Sequence, residues 1–196
     1  MSLRQIDFSK VLNDDQVYDH MMKNYDQLGR DWIVHQWSWM NNVYQAFNDH
    51  YKYLIVISLV EKTLQFYDQM NIVHTFDHFY SKANLQIEKF SITELCDKLQ
   101  LPKETVRRKV LELENLGVLK RQKKQIIIDR SIFPSVKPER QIKLTSKYIY
   151  KVSKIFNKDG IYTKKLDTNF IENTVKRNFS LCWRWFYRMQ IPMIIG

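Results

Sequence analysis

Between Asp31 and Leu101 the chain has neither proline nor glycine, so nothing in this stretch forces the backbone out of a helix, and the reading is largely helical. Within it Ile33, Trp37, Met40, Tyr44, Phe47, Tyr51 and Leu54 recur at spacings of 4, 3, 4, 3, 4 and 3, which places them on one face of a long helix. A second apolar set, Tyr53, Ile57, Val60, Leu64 and Tyr67, is displaced around that helix, with Glu61, Lys62 and Asp68 at polar positions. Either the helix bends near Asn48-Asp49-His50 or two stripes share it. Stripes this long fit a helix pair packed within the chain or the interface of a homodimer. The aromatic load of Trp32, Trp37, Trp39, Tyr44, Phe47, Tyr51 and Tyr53 fits ordinary core, or the lining of a pocket for a small apolar effector.

The 196 residues are 44% hydrophobic and 27% charged, a composition that folds and buries a core. No apolar run approaches the roughly 20 residues a bilayer requires, so a membrane protein is not expected. The segment Met1 to Asp7 lacks the apolar stretch of a secretory signal, which makes the cytoplasm the expected compartment. Cys96 and Cys182 stand alone, with neither a disulfide framework nor a zinc spacing. His74 and His78 are four apart, a separation that can put two imidazoles on one helical face for a metal, but no Glu follows the first His. They read as a structural or solvent-exposed pair, and no metal or other cofactor is expected.

Charge is strongly localised. Residues 1 to 97 hold 8 basic and 13 acidic side chains, residues 98 to 154 hold 16 and 5, and residues 155 to 196 hold 7 and 3; the balances are −5, +11 and +4, which sum to the net +10. Positive charge this dense repels itself unless a polyanion neutralises it, and a solvated basic face is the alternative.

The pattern inside and just before that stretch is specific. Ser91-Ile92-Thr93-Glu94 is a capping box that opens a helix near Ile92, with Ile92, Leu95, Cys96 and Leu99 on one face. Pro102 ends that helix and begins another, in which Val106, Val110 and Leu113 repeat until Gly117 supplies the stop. The opposite face of this second helix carries Glu104, Thr105, Arg108 and Glu112, flanked by Arg107 and Lys109. Val118 to Arg121 and Gln125 to Asp129 then read as a hairpin with Lys123 and Lys124 at its tip.

Helix, short turn, helix and basic hairpin together resemble the winged helix-turn-helix of bacterial transcriptional regulators, carried by the run from Leu101-Pro102-Lys103-Glu104-Thr105-Val106-Arg107-Arg108 through Leu113-Glu114-Asn115-Leu116-Gly117-Val118. The MarR-like group is the nearest in architecture, because a long helical region precedes the motif and Lys143-Leu144-Thr145-Ser146-Lys147 resembles the start of that family's long C-terminal helix. The resemblance implies a mainly α fold: a winged helix-turn-helix over 81–133 with a small β-hairpin wing, flanked by an N-terminal helical region over 1–80, for dimerisation or packing, and by a C-terminal linker and helices over 134–196. It also implies a sequence-specific regulator that binds double-stranded DNA as a homodimer.

On that reading Lys103, Thr105, Arg107, Arg108 and Lys109 reach base edges and phosphates in the major groove, whereas Lys123 and Lys124 suit phosphate or the minor groove. Glu104 accepts from a cytosine amino group, pairs with Arg108, or complements the helix dipole. Ser91 caps its helix and can face a phosphate through the helix N-terminus, and Lys120 and Arg121 are solvated strand ends or DNA contacts. A winged helix serving replication or protein interaction is the competing function. No phosphate-cradling loop, nucleophile elbow or metal-spaced carboxylate group occurs, so an enzyme is not expected.

Beyond the wing, Pro134 and Pro138 bracket a linker and Lys143 to Phe156 reads as an amphipathic helix. Thr168 to Gln190 reads as a basic, Trp-rich helix that stops before Pro192 and either packs on the N-terminal helices or lies on an anionic membrane.

Overall fold

The stretch without proline or glycine forms two long helices rather than one. In a computed structural model of the chain, described for residues 13–82, 84–87, 91–122, 125–132, 137–161 and 165–195, α1 (Asp14–Lys23) leads into α2 (Tyr25–Phe47) and α3 (His50–Gln69). The break comes at Asn48, whose left-handed φ of 51° ends α2, and at Asp49, whose carboxylate caps α3 by accepting from the Tyr51 and Lys52 N–H groups at 2.9 and 3.1 Å. A short helix α4 (Phe76–Phe79) and strand β1 (Asn84–Ile87) follow, then α5 (Ile92–Leu99), α6 (Lys103–Asn115), β2 (Leu119–Gln122), β3 (Gln125–Asp129) and one 3-10 turn (Arg130–Ile132). The chain closes with α7 (Glu139–Lys158), α8 (Thr168–Arg177) and α9 (Phe179–Ile195).

α3 is the central element. Tyr53 to Val60 and Leu64 are all buried, and α3 packs on α2, α5, α6, α9 and β1, so side chains on nearly its whole circumference leave water. One continuous buried cluster joins α3 to Leu95, Leu99, Val106, Val110 and Leu113 of the α5–α6 pair, to Leu85, Ile126 and Ile128 of the sheet, and to Phe179, Trp183 and Phe186 of α9. Glu61, a polar position by sequence, is buried as well. Lys98 reaches its carboxylate at 2.6 Å and Arg184 approaches at 3.8 Å, which supplies the countercharge burial requires.

The sheet has the order β1-β3-β2, all antiparallel, with Leu85 opposite Ile128 and Leu119 opposite Ile128 from the other side. The hairpin matches the sequence expectation within a residue; β1 does not appear in it.

Elsewhere the structure corrects the sequence reading. The stripe that begins at Ile33 is not the buried face of α2, which instead buries Leu28, His35, Gln36 and Trp39, while Trp37 is 76% exposed. The last segment is two helices, parted at Asn178, and α9 runs through Pro192 to Ile195. Proline there forfeits only one hydrogen bond in the final turns.

Candidate nucleic-acid interface

Local chemistry fixes α5 and α6 against each other. Ser91 caps α5 by accepting from the Glu94 N–H at 3.4 Å, but the reciprocal half of the expected box is replaced: both Glu94 oxygens bind Lys62 Nζ, at 2.8 and 2.6 Å, which ties α5 to α3. Gln100 turns the chain with φ of 51°, its side-chain amide donating to the Asp97 carbonyl at 2.6 Å. Gly117, at φ of 75°, ends α6 in a Schellman motif: Val118 N–H bonds the Leu113 carbonyl at 3.0 Å and Gly117 N–H the Glu114 carbonyl at 2.8 Å. Val106, Val110 and Leu113 are fully buried, as their spacing predicts.

The remaining side chains of α6 divide into two sets. Lys109 is not part of the open face. Its ammonium lies 2.6 Å from Asp49 and 2.9 Å from Glu112, with the side chain only 14% exposed, so it closes the joint between α6 and the N-terminus of α3. Lys52 joins the same cluster at 3.0 Å from Glu112. Asp49 and Glu112 hold the Lys109 ammonium by hydrogen bonds and raise its pKa above the ordinary value. Burial pulls the Asp49 carboxyl upward, but the hydrogen bonds from Lys109, Lys52 and Tyr51 outweigh that and leave it low, and Lys109 and Lys52 hold Glu112 low too.

Lys103, Glu104, Arg107 and Arg108 are exposed on the open face, and Thr105 is half-buried at its edge. Glu104 pairs with Arg107 at 2.8 Å, one residue short of the expected Arg108, because three residues along a helix also share a face. Arg108, 67% exposed, is 3.9 Å from Glu112. Leu111 lies exposed beside these cations. On the neighbouring strand Arg121 pairs with Glu114 and Lys120 with Asp129, the latter at 3.3 Å. Lys123 and Lys124, the expected wing tip, lie outside the described residues. A face of this kind can take phosphate oxygens or base edges through its guanidinium groups.

Asp49 and Lys52, which help to set the orientation of α6, carry no warning in the sequence as site residues, whereas Glu112, expected on the open face with Arg108, turns to Lys109 and Lys52. The one available signal is Asp49 as a helix cap.

Among the described residues, other candidate chemistry is sparse. His74 lies ahead of α4 and its ring stacks on that of His78 at 4.6 Å, so the two imidazoles do not converge as ligands. Among the described residues no group of three or more His, Cys, Asp or Glu side chains could hold a metal, and no helix is long and apolar enough to cross a membrane. A cavity of about 750 Å³ opens between α2, α3, α9 and the start of α7, lined by Trp39, Phe47, Tyr53, Tyr80, Trp183 and Tyr187 with Arg130 at its wall. Burial pushes the Tyr187 phenol up to about 12, and Trp39 donates to the Tyr53 hydroxyl at 3.2 Å. Of the aromatic group marked in the sequence, Trp39, Phe47 and Tyr53 line this cavity, whereas Trp37, Tyr44 and Tyr51 are exposed on the outside.

The chain matches no family model, no curated protein and no solved structure.

Proposed function

We propose that this is a DNA-binding transcriptional regulator of the winged helix-turn-helix class, MarR-like in its surrounding helices, with α6 as the helix that enters the major groove. The observation that carries the reading is the division of α6: its apolar face is buried, its Lys109 edge is clamped to α3, and the side left open presents Lys103, Arg107 and Arg108. The hairpin β2–β3 follows as the wing, with Lys120 and Arg121 beside the groove. Ser91, committed to its cap, contributes through the N-terminus of α5 rather than through its hydroxyl. A small apolar effector, on this reading, occupies the aromatic cavity beside Arg130.

The test is binding to a random-sequence duplex pool across a salt series, for the wild type and for Arg107→Ala/Arg108→Ala. The expected outcome is selection of a defined site by the wild type, affinity falling steeply with salt, and loss of selectivity in the variant at unchanged melting temperature. Equal, weak binding by both proteins overturns the reading. A protein-interaction module is the second function, favoured by Leu111, an exposed apolar side chain among the cations of α6. Undiminished partner capture by the double variant, with DNA selectivity absent, would support it.

A further inference from the structure

The open face of α6 lies between two edges, and each edge is held by a different part of the chain. At about 100° per residue Glu114 falls on one edge, where it pairs with Arg121 of β2. Lys109 and Glu112 fall on the other, where they pair with Asp49 and Lys52 at the N-terminus of α3. The joint between α2 and α3 therefore flanks α6 on the side away from the hairpin. A hollow of about 590 Å³ opens there, lined by Met40, Tyr44, His50 and Tyr51 of the joint, by Arg108 of α6, and by the Asp49–Lys109 pair.

The hollow can receive an anion in spite of its carboxylate. One Asp49 oxygen accepts from the Tyr51 and Lys52 N–H groups at 2.9 and 3.1 Å, and the other lies 2.6 Å from the Lys109 ammonium. Lys52, Lys109 and Arg108 outnumber Asp49 and Glu112 there, and the excess positive charge is that of Arg108, the most exposed of the five and 3.9 Å from Glu112. Tyr44 and Tyr51 are each 45% exposed, and among the described residues neither hydroxyl has a hydrogen-bond partner within the chain. The Tyr44 ring meets that of the exposed His50 at 5.1 Å. Neutral donors around one cation suit the sugar and phosphate of a backbone rather than a base edge.

We propose that the α2–α3 joint is a second DNA-backbone contact, opposite the wing; the inference rests on the DNA reading of α6 given above. A major groove about 12 Å wide is nearly filled by a helix about 10 to 12 Å across, so protein at either edge of that helix meets one of the two strands that bound the groove. The wing side of α6 meets one strand. The joint meets the other, whose phosphates lie in the hollow and accept from the Tyr44 and Tyr51 hydroxyls and the His50 ring N–H. Arg108 stands between the hollow and the bases. The cluster of Asp49, Lys52, Lys109 and Glu112 then fixes α6 at a set height above that strand.

The test uses the full chain and the duplex that its selection from a random pool yields. Tyr44→Phe/Tyr51→Phe is expected to bind that duplex about tenfold more weakly, through the loss of two hydrogen bonds to charged phosphate. Its sequence selectivity, salt dependence and melting temperature should stay as in the wild type, because the hydroxyls carry no charge and hold nothing within the chain. Single phosphates are then replaced by uncharged methylphosphonates. One or two replacements on the strand away from the wing should weaken the wild type about tenfold and the tyrosine variant far less, since its contact is already gone. His50→Lys should raise affinity and steepen the salt dependence by about one counterion. A tyrosine variant that binds as the wild type does, or the absence of any phosphate whose replacement distinguishes the two proteins, overturns the proposal while the DNA reading stands on the wild type's selectivity. Loss of selectivity in the tyrosine variant, equal to that of Arg107→Ala/Arg108→Ala, would put the hydroxyls on bases and overturns it too. A wild type that selects no duplex overturns both.

Discussion

Two sides of α6 carry the same residue types and behave differently. Lys109 and Glu112 face the capped N-terminus of α3, where Asp49 and Lys52 complete a four-member charge cluster. Lys103, Arg107 and Arg108 face solvent, with Glu104 as the close partner of Arg107. The difference teaches that a cation's role on a helix is set by what stands opposite it. The clustered set is partly desolvated and hydrogen-bonded, so it holds α6 in place, whereas the open set stays exposed to water, with Arg107 held by the exposed Glu104, and can exchange water for an anion.

The largest way to break the comparison is to remove what both sides depend on. Leu113→Ala, at a fully buried position between α6 and α3, is expected to lower unfolding free energy by about 2 to 5 kcal/mol, measured by urea denaturation. Next comes the contrast between adjacent cations. If α6 reads DNA as proposed, Arg108→Ala should reduce DNA affinity by about 1 to 3 kcal/mol with no change in melting temperature. Lys109→Met should cost about 1 kcal/mol of stability while leaving the salt dependence of DNA binding as it was. Equal effects of the two on DNA would show that the cluster opens when DNA binds.

Acid sharpens the same contrast. Asp49 and Glu112 are held below their ordinary values of 3.8 and 4.5. Their contribution to stability is thus complete above those values and is lost as pH falls through the depressed ones. Wild type should lose stability in that window more steeply than Lys109→Met, read as melting temperature against pH. The smallest effect is on the open side: Glu104→Gln frees Arg107 and is expected to raise DNA affinity by a few-fold, about 0.5 kcal/mol.

Much of the α5–α6 unit was legible in the sequence, because its determinants are local. Ser91 caps, Pro102 starts a helix, Gly117 ends one, and Val106, Val110 and Leu113 lie one helical turn apart; each acts on its own few residues. β1 escaped notice because four residues, Asn84 to Ile87, give only two alternations, too little to distinguish from loop without β3 beside them. The orientation of α2 was equally hidden. Its heptad stripe is the stronger pattern, yet the face that enters the core carries His35, whose ring bonds Thr145 of α7 at 2.9 Å, and Gln36.

By itself, then, the sequence determined that the chain would be mainly helical, where its helices around Pro102 and Gly117 begin and end, and that its positive charge would gather between residues 98 and 154. Those outcomes follow from backbone sterics, side-chain spacing and composition, which act over a few residues. Only the tertiary structure decided that Glu61 is buried, that Lys109 clamps two helices while Arg108 stays open, and that Trp37 faces water while Trp39 enters the core. These depend on what stands across a contact between residues far apart in the chain, and a charge or an aromatic ring has no fixed role until its neighbour does.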